Sequence, residues 1–127
     1  MPIAQGSFTV DVRPLTPAPA EGLSRFTINK QIHGDLEATT QGEMFGGGDY
    51  RQGTAGYVAV EMVTGVLNGH SGSFALQHFC TMNAGSFHMQ IIVVPGSGTG
   101  QLAGISGMFA IRIENGQHFY DFDYTLP

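Results

Sequence analysis

The chain has 127 residues, 42% hydrophobic and 12% charged, with 19 glycines and six prolines. This length fits one domain spanning 1–127. The apolar content excludes disorder, and the glycines and prolines exclude a long helical bundle. Ten acidic against five basic residues give a formal charge of −5 with Lys30 as the only lysine, which makes nucleic acid a poor partner; no apolar run approaches the ~20 residues of a membrane span, and no membrane partner is expected.

Alternation predicts a first strand over Ser7–Arg13, with Phe8, Val10 and Val12 on one side and Ser7, Thr9 and Asp11 on the other. Arg13–Gly22, carrying Pro14, Pro17 and Pro19, reads as a crossing loop. Leu23–His33 follows as a strand, Gly34-Asp35 as a tight turn and Leu36–Phe45 as the third strand. Gly46-Gly47-Gly48-Asp49 ends it and opens a loop. Ala55–Leu67 and His70–Thr81 form a hairpin around Asn68-Gly69, a pair that tolerates positive φ at both turn positions. Ser86–Val94 is the sixth strand, stopped by Pro95. The glycine-rich Gly96–Gly107 holds a short helical turn near Gln101–Gly104, and Met108–Glu114 and Gln117–Leu126 pair around Asn115-Gly116. Eight strands joined mostly by short turns predict an all-β protein, a single eight-stranded antiparallel barrel whose closure removes exposed edges. An open two-sheet sandwich of the same strands is the alternative.

A two-residue turn at Asn68-Gly69 places Leu67 opposite His70, Glu61 opposite Leu76, Ala59 opposite His78 and Tyr57 opposite Cys80. Tyr57, Glu61, His78 and Cys80 then share one face, with His78 diagonal to both Glu61 and Tyr57 and within reach of each. Gln77 falls on the opposite face with Val58, Val60 and Phe79. The same count at Asn115-Gly116 sets Arg112 diagonal to Asp121, a surface ion pair worth little. Counting from Gly34-Asp35 puts Lys30 opposite Thr39. There it either snorkels from an edge or sits as a paired charge at the barrel mouth.

If the Tyr57 face points into the barrel, a desolvated Glu61 is a candidate general base, with His78 or Tyr57 as acid or polariser. The same residues serve equally as a ligand's polar contacts or as a network that fixes register. Cys80, the only cysteine, cannot form an internal disulfide and reads as a buried inert thiol. Gly96-Ser97-Gly98-Thr99-Gly100 lacks the lysine of a nucleotide-binding loop and reads as a crossover where backbones approach closely. The five histidines, at 33, 70, 78, 88 and 118, show no metal-binding spacing. No metal and no cofactor are expected.

The block from Tyr57-Val58-Ala59-Val60-Glu61 through Gly69-His70-Ser71-Gly72-Ser73-Phe74 to His78, the Pro95-to-Gly107 glycine block and the tyrosine-rich last strand ending Asp123-Tyr124-Thr125-Leu126 resemble a bacterial family of uncharacterised single-domain proteins. That resemblance, running from about Gln5 to Leu126, implies an allene oxide cyclase-like, calycin-like β-barrel and carries no demonstrated activity. The expected function is binding of a small, mostly apolar ligand in the barrel, with Tyr57, Glu61, Gln77, His78 and Cys80 as contacts. The alternatives are a cofactor-free isomerase or cyclase-like enzyme using Glu61 as base, and a non-catalytic oligomeric structural module. A cytoplasmic location and a homo-oligomer complete the expectation, since the N-terminus shows no secretory pattern.

Overall fold

The computed structural model describes residues 2–127. Its strands are β1 (Ile3–Pro14), β2 (Leu23–Gly34), β3 (Leu36–Asp49), β4 (Thr54–Leu67), β5 (His70–Asn83), β6 (Ser86–Val93), β7 (Thr99–Gly100), β8 (Ser106–Glu114) and β9 (Gln117–Thr125). Each long strand pairs antiparallel with the next around the ring, β1 pairs with β9, and β4 pairs with β5, so eight strands close into a barrel. The two-residue β7 lies outside the ring, on the first part of β5. The open sandwich is excluded by this closure.

Turn chemistry fixes the hairpins. Asn68 and Gly69 adopt φ of 46° and 85°, Asn115 and Gly116 52° and 77°, the left-handed pair that matches strand twist. Leu67 pairs with His70 and Glu114 with Gln117, the registers read from the sequence. The turn between β5 and β6 uses Ala84-Gly85, with Ala84 at φ 50°. Residues 101–104 form consecutive turns, with Leu102 N–H donating to Thr99 and Ala103 N–H to Gly100; the 3-10 helix of the chain is Tyr50–Gln52.

The register of β2 on β3 differs by one residue from the sequence reading. Gln31 pairs with Thr39 and Ile32 with Ala38, which sets Lys30 beside Thr40. Gly34 remains in the ladder opposite Gly6, so only Asp35 is left to turn the chain. The Tyr120 hydroxyl braces this corner: it accepts from the Leu36 N–H at 3.1 Å and lies 3.0 Å from the His33 carbonyl. A side chain from the other end of the sequence thus joins the local contact of the Gly34 N–H with Glu37 in holding the register.

Inward side chains pack the lower barrel solid. Ala4, Leu36, Leu67, Phe74, Phe122 and Tyr124 fill that end, and Leu102 and Ile105 of the glycine-rich crossover plug it. The crossover lies tight against β5 because glycines permit it: a Cβ on Gly72 would stand 2.1 Å from the Thr99 carbonyl oxygen. Thr99 Oγ1 accepts from the Ser73 N–H, and Ser97 Oγ from the Ala75 N–H. Above this plug, stacked and tilted rings of Phe8, Phe109, Tyr120 and Phe122 form a middle layer, with centroids 5.1–6.3 Å apart, in the range where aromatic pairs add ~0.5–1.5 kcal/mol each. The seam between β6 and β8 is the weakest of the ring, bridged at the single pair Ile92–Met108.

Candidate functional site

Strand alternation brings Tyr57, Glu61, His78 and Cys80 to one side of the wall, the lumen, as the Asn68-Gly69 register requires. Gln77 alternates outward and is exposed, so it does not join the lumen group. Lys30 does. It is 3% exposed, far from the edge or mouth position expected of it, because alternation along β2 turns it inward with Ile28 and Ile32; the β2–β3 ladder, in one register on both sides, skips Asn29 and Lys30. There the Lys30 N–H donates to Thr40 Oγ1 at 3.0 Å in place of a strand bond.

Three side chains meet in the middle of the barrel. Lys30 Nζ donates to Glu61 Oε2 at 2.9 Å, and His78 Nε2 donates to the same oxygen. Glu61 is 1% exposed and His78 5%. The Lys30 ammonium also stands 5.1 Å from the Phe8 ring centroid and 5.7 Å from that of Phe109, a cation–π arrangement strengthened by desolvation. Gly42, directly across from Glu61 on β3, leaves the space: a Cβ there would lie 2.6 Å from Glu61 Cα and 2.2 Å from the Val60 carbonyl oxygen. Glu61 Oε1 is buried with no hydrogen-bond partner among the described residues.

Burial alone would raise the Glu61 carboxyl, but the His78 hydrogen bond and the Lys30 charge override it and hold the group at about 2. Such a carboxylate is a weak base at neutral pH. Burial, the neighbouring Cys80 thiol and the Glu61 charge push Tyr57 up to about 12, so it stays a neutral phenol. Burial likewise raises the Cys80 thiol against the opposing effect of Tyr57, and a thiol held protonated is a poor nucleophile.

Above this cluster the barrel opens. A cavity of about 640 Å³ occupies the mouth, lined by Val12, Phe26, Met44, Met82 and Phe87, with polar atoms from Tyr57, Cys80 and Ser24 and from the exposed Asp49, Tyr50 and Arg51. The triad is absent from its walls. Gly46, Gly47 and Gly48, which end a strand in the sequence reading, instead continue β3 and pair with Tyr57, Gly56 and Ala55. Their missing side chains leave the cavity its width, and a Cβ at Gly46 would meet nothing closer than 3.6 Å. The apolar positions of the mouth escaped the site reading; the glycine run facing Tyr57 is the signal that points to them. Among the described residues no group of three His, Cys, Asp or Glu side chains is placed to hold a metal ion. Among the described residues no helix is long and apolar enough to cross a membrane.

The fold and site define a class: small closed antiparallel barrels, solid at one end and hollow at the other, with an ion cluster sealed between. Residues 4–124 match the model of a family described as protein of unknown function (DUF3224), and the chain belongs to that family. The crystal structure of a DUF3224 protein of unknown function from Shewanella oneidensis MR-1 is similar at 44% sequence identity, with a TM-score of 0.91 over 100% of this chain and 98% of that one. No curated protein matches the chain.

Proposed function

We propose that the protein binds a small, mostly apolar ligand in the mouth of the barrel. The observation that carries this reading is the cavity of about 640 Å³, its walls mainly apolar, with Tyr57 and Cys80 among its polar groups and the charged Asp49 and Arg51 also lining it, inside the ~300–1,000 Å³ range of small-molecule sites. The ligand's body lies against Phe26, Met44, Met82 and Phe87, and its polar end meets Tyr57 and Cys80. A neutral phenol donates a hydrogen bond, so the ligand carries an acceptor such as a carbonyl, ether or hydroxyl oxygen. Lys30, Glu61 and His78 stand behind the binding surface and stiffen the wall that presents Tyr57; this reading gives Glu61 no proton-transfer role.

The test uses N-phenylnaphthylamine, a neutral apolar fluorophore. Its emission is expected to rise saturably with the wild-type protein and to remain near background with Gly46→Leu, which fills the mouth from a position where a Cβ is tolerated. Equal binding by the two proteins, or no saturable binding by the wild type, would overturn the reading.

A further inference from the structure

We propose that the outer face of β4, β5 and β6 is a pairing surface for a second copy of this chain, each copy seating its Phe79 in a groove of the other. Between Arg51 and Arg112 the sequence contains a single Asp, Glu, Lys or Arg. That residue is Glu61, buried in the lumen. The outside of this half of the barrel is therefore free of Asp, Glu, Lys and Arg, with His70 and His88 as its exposed titratable groups, while the charged side chains lie on β1, β2, β3, β9, the end of β8 and the segments holding Glu21, Asp35 and Arg51. Soluble proteins ordinarily intersperse charge over their whole surface.

What replaces charge is large and apolar. Val58 is 49% exposed, and Val60 and Phe79 are each 57% exposed. Met62 and Met108 extend the patch on either side. Between the rows runs a groove of about 320 Å³ lined by Val58, Val60, Gln77, Phe79, Gln90 and Ile92. A two-fold interface needs a surface that complements itself, and this one holds a projecting aromatic ring beside an apolar groove. Gln77 and Gln90 supply amides that both donate and accept, which suits a pairing of identical faces.

Size and charge favour a second copy over other occupants. The 14, 14 and 8 residues of β4, β5 and β6, at ~3.3 Å rise and ~4.8 Å spacing, cover roughly 570 Å², the lower end of what each partner gives to a standard interface of about 1,600 ± 400 Å² in total. Interface cores are depleted in charge, and homodimer interfaces are the more apolar ones. The formal charge of −5 on each copy lies away from this face, so pairing brings little repulsion. A lipid headgroup surface would call for basic residues around the patch. At the β3 rim Arg25 is spent on Glu43, at 2.7 Å.

Sedimentation of the full chain at micromolar concentration tests this. The expected mass is twice the 13.5 kDa of one chain. Phe79→Glu and Val60→Lys, at side chains that point into solvent within one copy, are each expected to return the mass to one chain with an unchanged far-ultraviolet spectrum, whereas Asp11→Lys on β1 leaves the dimer intact. A wild type that sediments as one chain throughout the micromolar range would overturn the proposal. So would a dimer that survives both Phe79→Glu and Val60→Lys, or a single chain that floats with phosphatidylcholine vesicles. The surface lies outside the barrel wall, so the outcome is independent of fluorophore binding at the mouth.

Discussion

Replacing Glu61 with glutamine keeps the shape of the side chain and removes its charge. Lys30, 3% exposed and 2.9 Å from Glu61 Oε2, then loses its counterion inside the barrel. Breaking a buried pair from one side costs about 3–5 kcal/mol. For a chain of this length 1 kcal/mol corresponds to roughly 4 °C, so Tm falls by roughly 12–20 °C at neutral pH. The same argument fixes a pH dependence. The folded carboxyl sits at about 2 against 4.5 for the ordinary group, so its stabilisation is whole above pH 4.5 and fades as pH drops toward 2. The difference in pKa corresponds to about 3 kcal/mol. Urea unfolding of the wild type and Glu61→Gln is expected to show a stability gap that closes across this window, because a protonated glutamate and a glutamine are nearly equivalent partners for Lys30. Pairing Glu61→Gln with Lys30→Met is expected to cost less than the two single changes summed, since the double variant buries no orphan charge. A gap under about 1 kcal/mol at neutral pH, or one that does not vary with pH, would refute the assignment of the triad as a tightly coupled ion cluster.

Two further substitutions probe what positions that cluster. Gly42→Ala drives a methyl group to 2.2 Å from the Val60 carbonyl oxygen and is expected to destabilise the barrel by about 1–3 kcal/mol or more, measured by thermal unfolding; a neutral effect would show that β3 and β4 can separate at no cost beside Glu61. Tyr120→Phe leaves the Leu36 N–H without its acceptor at the β2–β3 corner and is expected to cost about 1–3 kcal/mol. Its refolded state is expected to keep the register of β2 on β3 less strictly, seen as broadened amide signals for His33–Ala38; sharp, unshifted signals would remove Tyr120 as the brace.

Much of this architecture is legible in the sequence because asparagine-glycine pairs specify both the turn and the count of residues around it. From Asn68-Gly69 alone, Tyr57, Glu61, His78 and Cys80 share a face, and the structure has that register. The Gly34-Asp35 count misplaces Lys30 because no local signal records the contact that Tyr120 makes there from 84 residues away. A lysine on a strand with Phe26, Ile28 and Ile32 reads as an edge or mouth residue on desolvation grounds, and only its three-dimensional partners make burial affordable. The mouth cavity is illegible for another reason: emptiness is set by how far opposite walls stand apart, which depends on strand tilt and stagger. The stretch from Gln52 to Ile111, with Glu61 as its one Asp, Glu, Lys or Arg, by contrast stands in plain view in the sequence and acquires meaning only once β4, β5 and β6 are known to be neighbours.

The single bridge between β6 and β8, at Ile92 and Met108, makes this ring behave like a bracelet with a clasp. Elsewhere, spreading the wall would break long ladders at once; here the backbone ladder is not continued past one residue pair, and packing does the rest. Amides of Ser86–Gln90 and Ala110–Glu114 that face this seam, rather than the ladders to β5 and β9, are expected to exchange earliest. The barrel's closure thus depends least on paired backbone at this one seam.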